Sequence, residues 1–508
     1  MHVQVPNEPI ARLSSAWRRC VGTGRMDLSL RRGHSEALEL ASREIGFEMI
    51  RGHGMLSDAM AVHRAYEWQG ERRVQHTFVH LDEVVDRYLA AGVRPFLELG
   101  FMPADLASGD QTVFWWKGNI TPPRSYAEWA ELVRATLRHL VDRYGLEEVR
   151  TWPIEVWNEP NLDIFWKDAD QAEYLRLYEV TARAVKDVDA GLQVGGPVLS
   201  PGADEWWAPF AEYVTSRDVP VDFVSRHAYT SGPAQPVPFG VYQDLRPPQD
   251  LLEQFAAPAR HLEGTALAGL PVHISEFNTS YRPDNPVHDT AYNAAYLAPV
   301  LTAGGEHVES FAYWTLSDVF EELGVAPGLF HGGFGLLTHG LLRKPTYHLY
   351  AFMAQAGPHV LARGEDHLVT RHDDGRVTVL AWQPVDGSPT TASDGHRVQL
   401  SVPVAADGDG RAFALRRRVN EHDGNAWSAW RGMGRPGAPS HAQRDALELA
   451  SRPAVEHATH AVSAGRVVLD LHLARHEVTL VELDAVRDQT PPWTDDTRIP
   501  GYADGAAR

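Results

Sequence analysis

The segment Ile154-Glu155-Val156-Trp157-Asn158-Glu159-Pro160 has the form of a short buried strand that ends at a carboxyl group. Its first half is rich in the branched and aromatic side chains that strands favour. Because Pro160 follows Glu159 directly, we expect the chain to leave the strand at this carboxyl. A second segment, Val272-His273-Ile274-Ser275-Glu276-Phe277, has the same form. The sequence therefore predicts two buried strands, each with a glutamate at its polar end.

Six more apolar runs of similar length occur between Arg19 and Lys344, separated by longer amphipathic segments. This alternation is typical of repeated βα units around a parallel sheet. Eight strands over ~325 residues match a (β/α)8 barrel with insertions better than an open doubly wound sheet, and no glycine-rich fingerprint supports such a sheet. The eight predicted strands begin near Arg19, Phe47, Pro95, Ile154, Gln193, Val221, Val272 and Phe311.

After Lys344 the pattern changes to period-two runs separated by Asp-Gly pairs, which predicts an antiparallel β-sandwich. The runs are Arg376–Leu380, Val398–Val404, Val467–Leu473 and Val478–Leu483. We predict a segment at 1–13 that can add an edge strand to the sandwich, a barrel at 14–345, the sandwich at 346–489 and a polar tail at 490–508.

The composition limits the partners of the protein. Its 508 residues include 47 basic and 67 acidic side chains, and a formal charge of −20 repels nucleic acid and anionic membranes. Residues 1–20 lack the apolar core of a secretory signal, and no stretch approaches the ~18 apolar residues of a membrane span. We therefore expect a cytoplasmic protein. Cys20 is the sole cysteine and no HExxH motif occurs, so we expect neither a disulfide nor a metal, and no cofactor.

The two strand-end glutamates carry the functional argument. The active site of such a barrel lies at the carboxyl ends of its strands, so the fold brings Glu159 and Glu276 to the same mouth. A lone strand-end glutamate is more often a solvated side chain or the partner in a salt bridge. Two facing carboxyl groups with separately tuned acidity, however, are the working parts of glycoside hydrolysis.

Four strings occur in an order that resembles glycoside hydrolase family 39. They are Arg51-Gly52-His53-Gly54, Glu155-Val156-Trp157-Asn158-Glu159-Pro160-Asn161, His227-Ala228-Tyr229 and Ile274-Ser275-Glu276-Phe277-Asn278. The resemblance runs from about Arg19 to Tyr350 and continues more weakly into the β-rich part. It implies a retaining glycosidase from a family that contains bacterial β-xylosidases and animal α-L-iduronidases.

By this resemblance Glu159 is the general acid/base and Glu276 is the nucleophile. A nucleophile must be ionised, and Arg51, at the end of the second predicted strand, and Tyr229, just past the sixth, are positioned to donate to Glu276. An acid must hold its proton, which the charge of Glu276 across the cleft favours for Glu159. Retention requires the two carboxyl groups to lie ~5 to 5.5 Å apart.

Nine residues are expected to contact the sugar: His53, Asn158, His227, Tyr229, Trp314, Glu321, Glu322, Trp115 and Trp116. Asn158 is suited to hold the 2-hydroxyl, a contact that strengthens as positive charge develops on the ring. His227 and Tyr229 share one face of a strand because side chains alternate, and the resemblance places both at the substrate.

The remaining candidate sugar contacts are chosen mainly from their position at a strand end or in a loop near the predicted mouth. Trp314 resembles the aromatic floor on which the sugar ring stacks, and by the resemblance His53 touches sugar hydroxyls. Glu321 and Glu322 are candidates to accept hydrogen bonds from the 3- or 4-hydroxyl. Trp115-Trp116 are candidates to wall the pocket or a second sugar site. Solvated charges and loop packing are the alternatives for these loop residues.

We expect an exo-acting, retaining β-xylosidase that releases xylose from the non-reducing end of short β-1,4-xylo-oligosaccharides, which are small and neutral. An α-L-iduronidase, another glycosidase such as an arabinosidase or galactosidase, and an inactive carbohydrate-binding barrel are the alternatives. The sequence leaves open self-association and the role of the β-rich part.

Overall fold

The computed structural model describes residues 2–238, 240–385, 395–404 and 410–487, and beyond these 489–491, 493–494, 498 and 500–501. The predicted polar tail at 490–508 therefore lies largely outside the described residues. None of the helices in these ranges is both long and apolar enough to cross a bilayer.

Eight parallel strands close into a barrel. Neighbouring strands pair in chain order, and the barrel closes where Tyr313 of the eighth strand pairs with Val21 of the first. The predicted (β/α)8 barrel is confirmed, and each predicted strand overlaps an observed one. The strands are Cys20–Arg25, Met49–His53, Arg94–Leu99, Pro153–Val156, Gln193–Leu199, Phe223–Tyr229, Val272–Asn278 and Ser310–Tyr313.

Helices surround the barrel. Those that follow the eight strands are Arg32–Glu44, Val79–Ala90, Tyr126–Tyr144, Gln171–Val188, Trp207–Ser216, Gln249–His261, Ala291–Ala303 and Pro345–Met353. Short helices at Ala16–Arg19 and Leu146–Val149 precede the first and fourth strands. Three hairpins stand on the connections: His63–Trp68 with Glu71–His76, Thr112–Val113 with Gly118–Asn119, and Gln235–Val237 with Gly240–Tyr242.

The helix Tyr126–Tyr144 shows how the sequence sets these elements. It begins where the Ser125 hydroxyl accepts a hydrogen bond from the backbone N–H of Glu128, and it ends at Gly145, whose φ of +89° suits glycine. The indole of Trp129 on its buried face donates to the Thr181 hydroxyl of the next helix at 2.8 Å. Each buried leucine or valine on this face stabilises the packing by ~1.5 to 3 kcal/mol.

The lower half of the barrel interior is a packed apolar layer. Cys20, Phe96, Phe223 and Ala312 meet there, and the His273 ring packs edge-on against both phenylalanines. Burial lowers the pKa of His273 to about 3, so the ring is neutral. This layer closes the barrel from below, and polar chemistry is confined to the carboxyl ends of the strands.

The C-terminal part is a two-layer β-structure, as predicted. Its larger sheet has seven strands in the order Ala11–Arg12, His359–Arg363, His367–Arg371, Val377–Trp382, Val478–Ala485, Arg411–Val419 and Ala454–Ala461. The smaller sheet contains His2–Gln4, His396–Pro403 and Arg466–Leu473. Side chains of both sheets form one core. Two helices, Ala426–Gly432 and His441–Ala450, pack against Phe330 in the long connection after the eighth barrel strand.

The segment before the barrel pairs with both of these sheets. His2–Gln4 runs parallel to His396–Pro403, and Ala11–Arg12 pairs with His359–Arg363. The pattern at Val3 and Val5 indicated an edge strand of this kind, and Val5 is fully buried in the core of the sandwich. The division of the chain into four segments at the stated boundaries stays a prediction.

Candidate active site

The Glu276 carboxyl, near the end of the seventh barrel strand, accepts two strong hydrogen bonds. Arg51 Nη1 donates to its Oε1 at 2.6 Å, and the Tyr229 hydroxyl donates to its Oε2 at 2.8 Å. His227 Nδ1 lies 3.4 Å from the same Oε2. The side chain is 7% exposed. Glu276 is therefore a buried carboxylate whose charge is met by a cation and a hydroxyl.

Arg51 is the centre of the buried polar network. Its side chain is fully buried, and its nitrogens reach four groups, which come from the third, fourth and seventh strands and from the turn after the fourth. Nε donates to Glu155 at 2.7 Å, Nη1 to Glu276, and Nη2 to the Asn158 amide oxygen at 3.0 Å. Nη2 also lies 2.9 Å from Glu98 Oε2. One guanidinium therefore serves three carboxylates, and its planar fork fixes their positions.

Glu159 projects from an unusual turn at the end of the fourth strand. Trp157 and Glu159 both have left-handed backbone conformations, with φ of 72° and 42°. Such residues cost about 1 to 3 kcal/mol each and persist where the surrounding structure holds them. Here the Trp157 indole donates to the carbonyl of Phe165, and the backbone N–H of Glu159 donates to the carbonyl of Val198. The turn carries the Glu159 carboxyl over the barrel mouth.

His227 joins the two glutamates. Its Nδ1 lies 2.8 Å from Glu159 Oε1 and 3.4 Å from Glu276 Oε2. These two oxygens are therefore no more than about 6 Å apart, so both carboxyl groups lie within reach of one sugar ring. Carboxyl groups remote in sequence thus share one mouth, as the fold prediction required.

The surroundings make the two carboxyls chemically different. Burial and then the negative charge of Glu276 raise the pKa of Glu159 well above its ordinary value. Burial also raises the pKa of Glu276, but Arg51 and the Tyr229 hydroxyl oppose the rise. Burial and the nearby Arg51 lower the pKa of His227 well below its usual range, so this ring is neutral. The proton of the pair therefore resides on Glu159, and Glu276 carries the charge.

Glu159, Glu276 and Tyr229 line a cavity of about 900 Å³ at the barrel mouth, whereas Arg51 and His227, the latter predicted to contact the sugar, are fully buried behind its wall. Its inner wall includes His53, Asn158, Glu159, Tyr229, Glu276, Trp314, Glu322 and Phe114. The Trp314 ring packs edge-on against the His53 ring at 4.8 Å between centroids, and Phe320 and Phe334 hold its other side. An aromatic ring beside two carboxyls suits a sugar, whose C–H groups stack on the ring while its hydroxyls bind polar groups.

The sequence matches the model of glycosyl hydrolases family 39 over residues 1–468. The protein belongs to this family. It is 47% identical over 510 residues to a β-xylosidase of Geobacillus stearothermophilus, with 99% of each chain covered. It is 32% identical to a β-xylosidase of Caldicellulosiruptor saccharolyticus over 93% of this chain and 96% of that one. A solved monomeric β-xylosidase from Caulobacter crescentus has a TM-score of 0.85 at 31% identity, covering 95% of this chain and 99% of that one. The resemblance drawn from the motifs is confirmed, and the chain is a glycoside hydrolase.

The adjacent glutamates of this family 39 hydrolase occupy different environments. Glu322 lines the cavity, where burial and the charges of Glu276 and Glu159 raise its pKa well above the ordinary value. Glu321 points instead to Arg25, whose Nη2 donates to it at 2.6 Å, and to Arg31. Although burial opposes it, the hydrogen bonds from both arginines lower the pKa of Glu321. The prediction that Glu321 contacts sugar hydroxyls therefore needs correction, because both of its oxygens already have cationic partners outside the cavity.

The aromatic run at 114–116 also differs from the prediction. Phe114, which the sequence reading missed, lines the cavity. Trp116 packs against Phe101 and Phe114, and the Arg25 guanidinium lies 5.8 Å from its ring. Trp115 is 57% exposed, and its backbone N–H donates to the carbonyl of Glu322. Among the described residues, the pocket wall comes from Phe114 instead of the two tryptophans, because Trp116 is taken up by packing and Trp115 faces outward.

Proposed function

We propose that this family 39 hydrolase is a retaining β-xylosidase that releases xylose from the non-reducing end of short β-1,4-xylo-oligosaccharides. The observation that carries the proposal is the pair of carboxyls at one mouth, where Glu276 contacts a cation and a hydroxyl and no cation of the described residues contacts Glu159. The name of the relatives, β-xylosidase, supports the choice of sugar.

In the first step the ionised Glu276 attacks the anomeric carbon. The glycosidic C–O bond breaks as Glu159 gives its proton to the leaving oxygen, so the leaving alcohol departs neutral. Glu276 becomes a glycosyl ester. Arg51 and Tyr229 hold the attacking carboxylate in place, and Asn158, itself fixed by Arg51, is positioned to bind the 2-hydroxyl.

In the second step a water molecule replaces the leaving alcohol. The charge of Glu276 has been consumed in the ester, so the repulsion that raised the pKa of Glu159 is gone. Glu159, now ionised, takes a proton from the water as the water attacks the anomeric carbon. Glu276 leaves as a carboxylate, and two displacements restore the original β-configuration in the product.

The remaining contacts support a single sugar ring at the inner end of the cavity. Trp314 and His53 form one side, Tyr229 forms another, and Glu322 approaches from the loop after the eighth strand. Glu322 is suited to accept hydrogen bonds from the hydroxyls remote from the anomeric carbon. Burial and the charges of Glu276 and Glu159 raise its pKa, and those negative charges favour a neutral hydroxyl over an anionic partner.

A panel of nitrophenyl glycosides tests the proposal: the β-D-xyloside, β-D-glucoside, β-D-galactoside, α-L-arabinoside and α-L-iduronide. We expect kcat/KM to be highest for the β-D-xyloside by at least about tenfold, since discrimination against one extra group is worth ~10 to 200-fold. The first-formed xylose, followed by proton NMR, should be the β-anomer. Release of the α-anomer would overturn retention, and a higher value for another glycoside would overturn the sugar assignment.

Xylobiose and longer xylo-oligosaccharides then test the exo mode. We expect xylose as the initial product from each. A label attached to the reducing end of the substrate should remain on the shortened product. Larger internal fragments as first products would contradict release from the non-reducing end. Glu276→Ala serves as the control for any contaminating activity.

A further inference from the structure

Glu98, at the end of the third strand, is a buried carboxylate that no motif assigned. Its side chain is fully buried. Its Oε2 accepts a hydrogen bond from His53 Nδ1 at 2.7 Å and lies 2.9 Å from Arg51 Nη2. Glu98 does not line the cavity. It therefore touches two residues of the site from behind.

The contact with Glu98 determines which nitrogen of His53 carries a proton. A carboxylate accepts hydrogen bonds and does not donate them, so Nδ1 must carry the hydrogen of the 2.7 Å bond. His53 Nε2 faces the cavity and lies 3.5 Å from Glu276 Oε1. In the neutral form of the ring, a proton on Nδ1 leaves a lone pair on Nε2, the nitrogen that faces the cavity.

We propose that Glu98 is a positioning residue that holds His53 in the Nδ1–H form, so that Nε2 accepts a hydrogen bond from a sugar hydroxyl beside the nucleophile. In the other tautomer Nε2–H would donate to the Glu276 carboxylate, in competition with the donors Tyr229 and Arg51. The bare Nε2 leaves the nucleophile to its two existing donors and gives the sugar hydroxyl an acceptor. This inference rests on the proposed glycosidase function and assigns a further residue to it.

Glu155 offers a matched control. It is also a fully buried carboxylate bonded to Arg51, and it lies on the neighbouring fourth strand. Its second partner is the Ser275 hydroxyl at 2.7 Å, however, and it makes no recorded contact with His53. Effects that pass through Arg51 should appear in variants of either glutamate. Effects that pass through His53 should appear only in variants of Glu98.

The test is a double-mutant cycle on the full-length protein with nitrophenyl β-D-xyloside. We expect Glu98→Leu to lower kcat/KM by about tenfold or more in the wild-type background, by analogy with the ~10 to 100-fold effect of removing the carboxylate behind a metal-binding histidine. In a His53→Ala background the same change should cost less than about threefold. Glu155→Leu should cost the same factor in both backgrounds. An equal loss from Glu98→Leu in both backgrounds would overturn the proposal.

A second measurement needs no substrate. In ¹⁵N-histidine-labelled protein, the His53 signals, assigned by their absence in His53→Ala, should show a protonated Nδ1 and a bare Nε2. Glu98→Leu should lose this pattern and Glu155→Leu should keep it. Wild-type His53 with the proton on Nε2 would also overturn the proposal. If circular dichroism shows Glu98→Leu to be unfolded, Glu98→Met, whose flexible side chain fits irregular space, takes its place in both experiments. If these two experiments contradict the role of Glu98 while the wild-type protein hydrolyses the xyloside, the role of Glu98 is refuted and the proposed glycosidase function stands.

Discussion

Replacement of Arg51 by methionine should destabilise the barrel in a way that depends on pH. The substitution keeps a long side chain but removes the only cation in direct contact with Glu98, Glu155 and Glu276 among the described residues. Removing one partner of a buried ion pair costs about 3 to 5 kcal/mol, because the remaining charge stays buried without compensation. At ~2 °C per kcal/mol for a domain of this size, the melting temperature at neutral pH should fall by about 6 to 10 °C.

The sign of the pH dependence follows from the orphaned carboxyls. Without Arg51 their folded-state pKa values rise above those of the unfolded chain, so the folded variant binds protons that the unfolded chain does not. The stability of the variant is therefore lost as pH rises through these raised values. Relative to wild type, the deficit in melting temperature should be larger at pH 8 than at pH 5.

Calorimetry at several pH values checks this, with two further variants. Glu155→Gln in the Arg51→Met background removes one orphaned charge and should restore part of the lost stability. Arg94→Met removes a half-exposed arginine from its ion pair with Glu148 and should change the melting temperature by no more than about 2 °C. A deficit that is independent of pH, or one that Glu155→Gln does not reduce, would refute the account of Arg51 as the charge partner of this cluster.

Four further outcomes follow from the site. Glu276→Ala should abolish turnover of the aryl xyloside, and residual activity above that of a blank preparation would remove the nucleophile assignment. Glu159→Ala should retain the first step only for good leaving groups and should form a glycosyl azide when azide is added; wild-type rates on a poor leaving group would contradict its role as the acid. In wild type, kcat/KM should fall at high pH because Glu159, whose pKa is raised, loses its proton, and at low pH because Glu276 gains one. Tyr229→Phe removes a donor that lowers the pKa of Glu276, so the fall of kcat/KM at low pH should begin at a higher pH than in wild type. An unchanged acidic side of the profile would contradict the role of this donor. Glu322→Gln should lower kcat/KM for the xyloside by about tenfold, whereas Glu321→Gln should act mainly on the melting temperature, and the reverse pattern would restore Glu321 to the substrate site.

The barrel was predictable because its signal is repeated. Eight short apolar runs recur with amphipathic segments between them, so a misplaced boundary at one strand does not change the number of predicted strands. Some of the predicted strands were nevertheless too short at their carboxyl ends. The sixth runs to Tyr229 and the seventh to Asn278, whereas the apolar pattern ended near Val224 and Ser275. Polar residues at these ends belong to strands because the barrel interior is polar there, and this depends on contacts from other strands.

The same reason explains which site residues the sequence missed. Glu98 and Glu155 stand inside apolar runs and resemble strand residues that face solvent. Their burial is compensated by the Arg51 guanidinium, which comes from another strand, and by hydrogen bonds from His53 and Ser275. Glu321 and Glu322 look alike in sequence. They differ in the structure because Glu321 pairs with Arg25 and Arg31, which come from a remote segment. The strand Arg411–Val419 was missed because three consecutive arginines interrupt its apolar alternation. Pairwise charge contacts between remote segments leave no local pattern.

The balance of charge in the cavity also bears on the choice of sugar. Glu159, Glu276 and Glu322 all line it, and the Arg51 guanidinium meets only Glu276 among these three. Of the other arginines that line the cavity, Arg226, Arg246 and Arg282 have carboxylate partners in Asp204, Asp250 and Asp284, whereas Arg260 donates to the backbone carbonyl of Glu253.

A uronic acid bound at the inner sugar site would add a negative charge beside Glu276, whose cation Arg51 already meets three carboxylates. A further charge without a partner in a buried site is costly, whereas a pentose brings hydroxyls that can donate to the carboxylates and to Nε2 of His53. The α-L-iduronide should therefore be hydrolysed at least about a hundredfold more slowly than the β-D-xyloside. Comparable kcat/KM values for the two would mean that a free cation reaches the sugar, and Arg282→Met would show whether Arg282 is that cation.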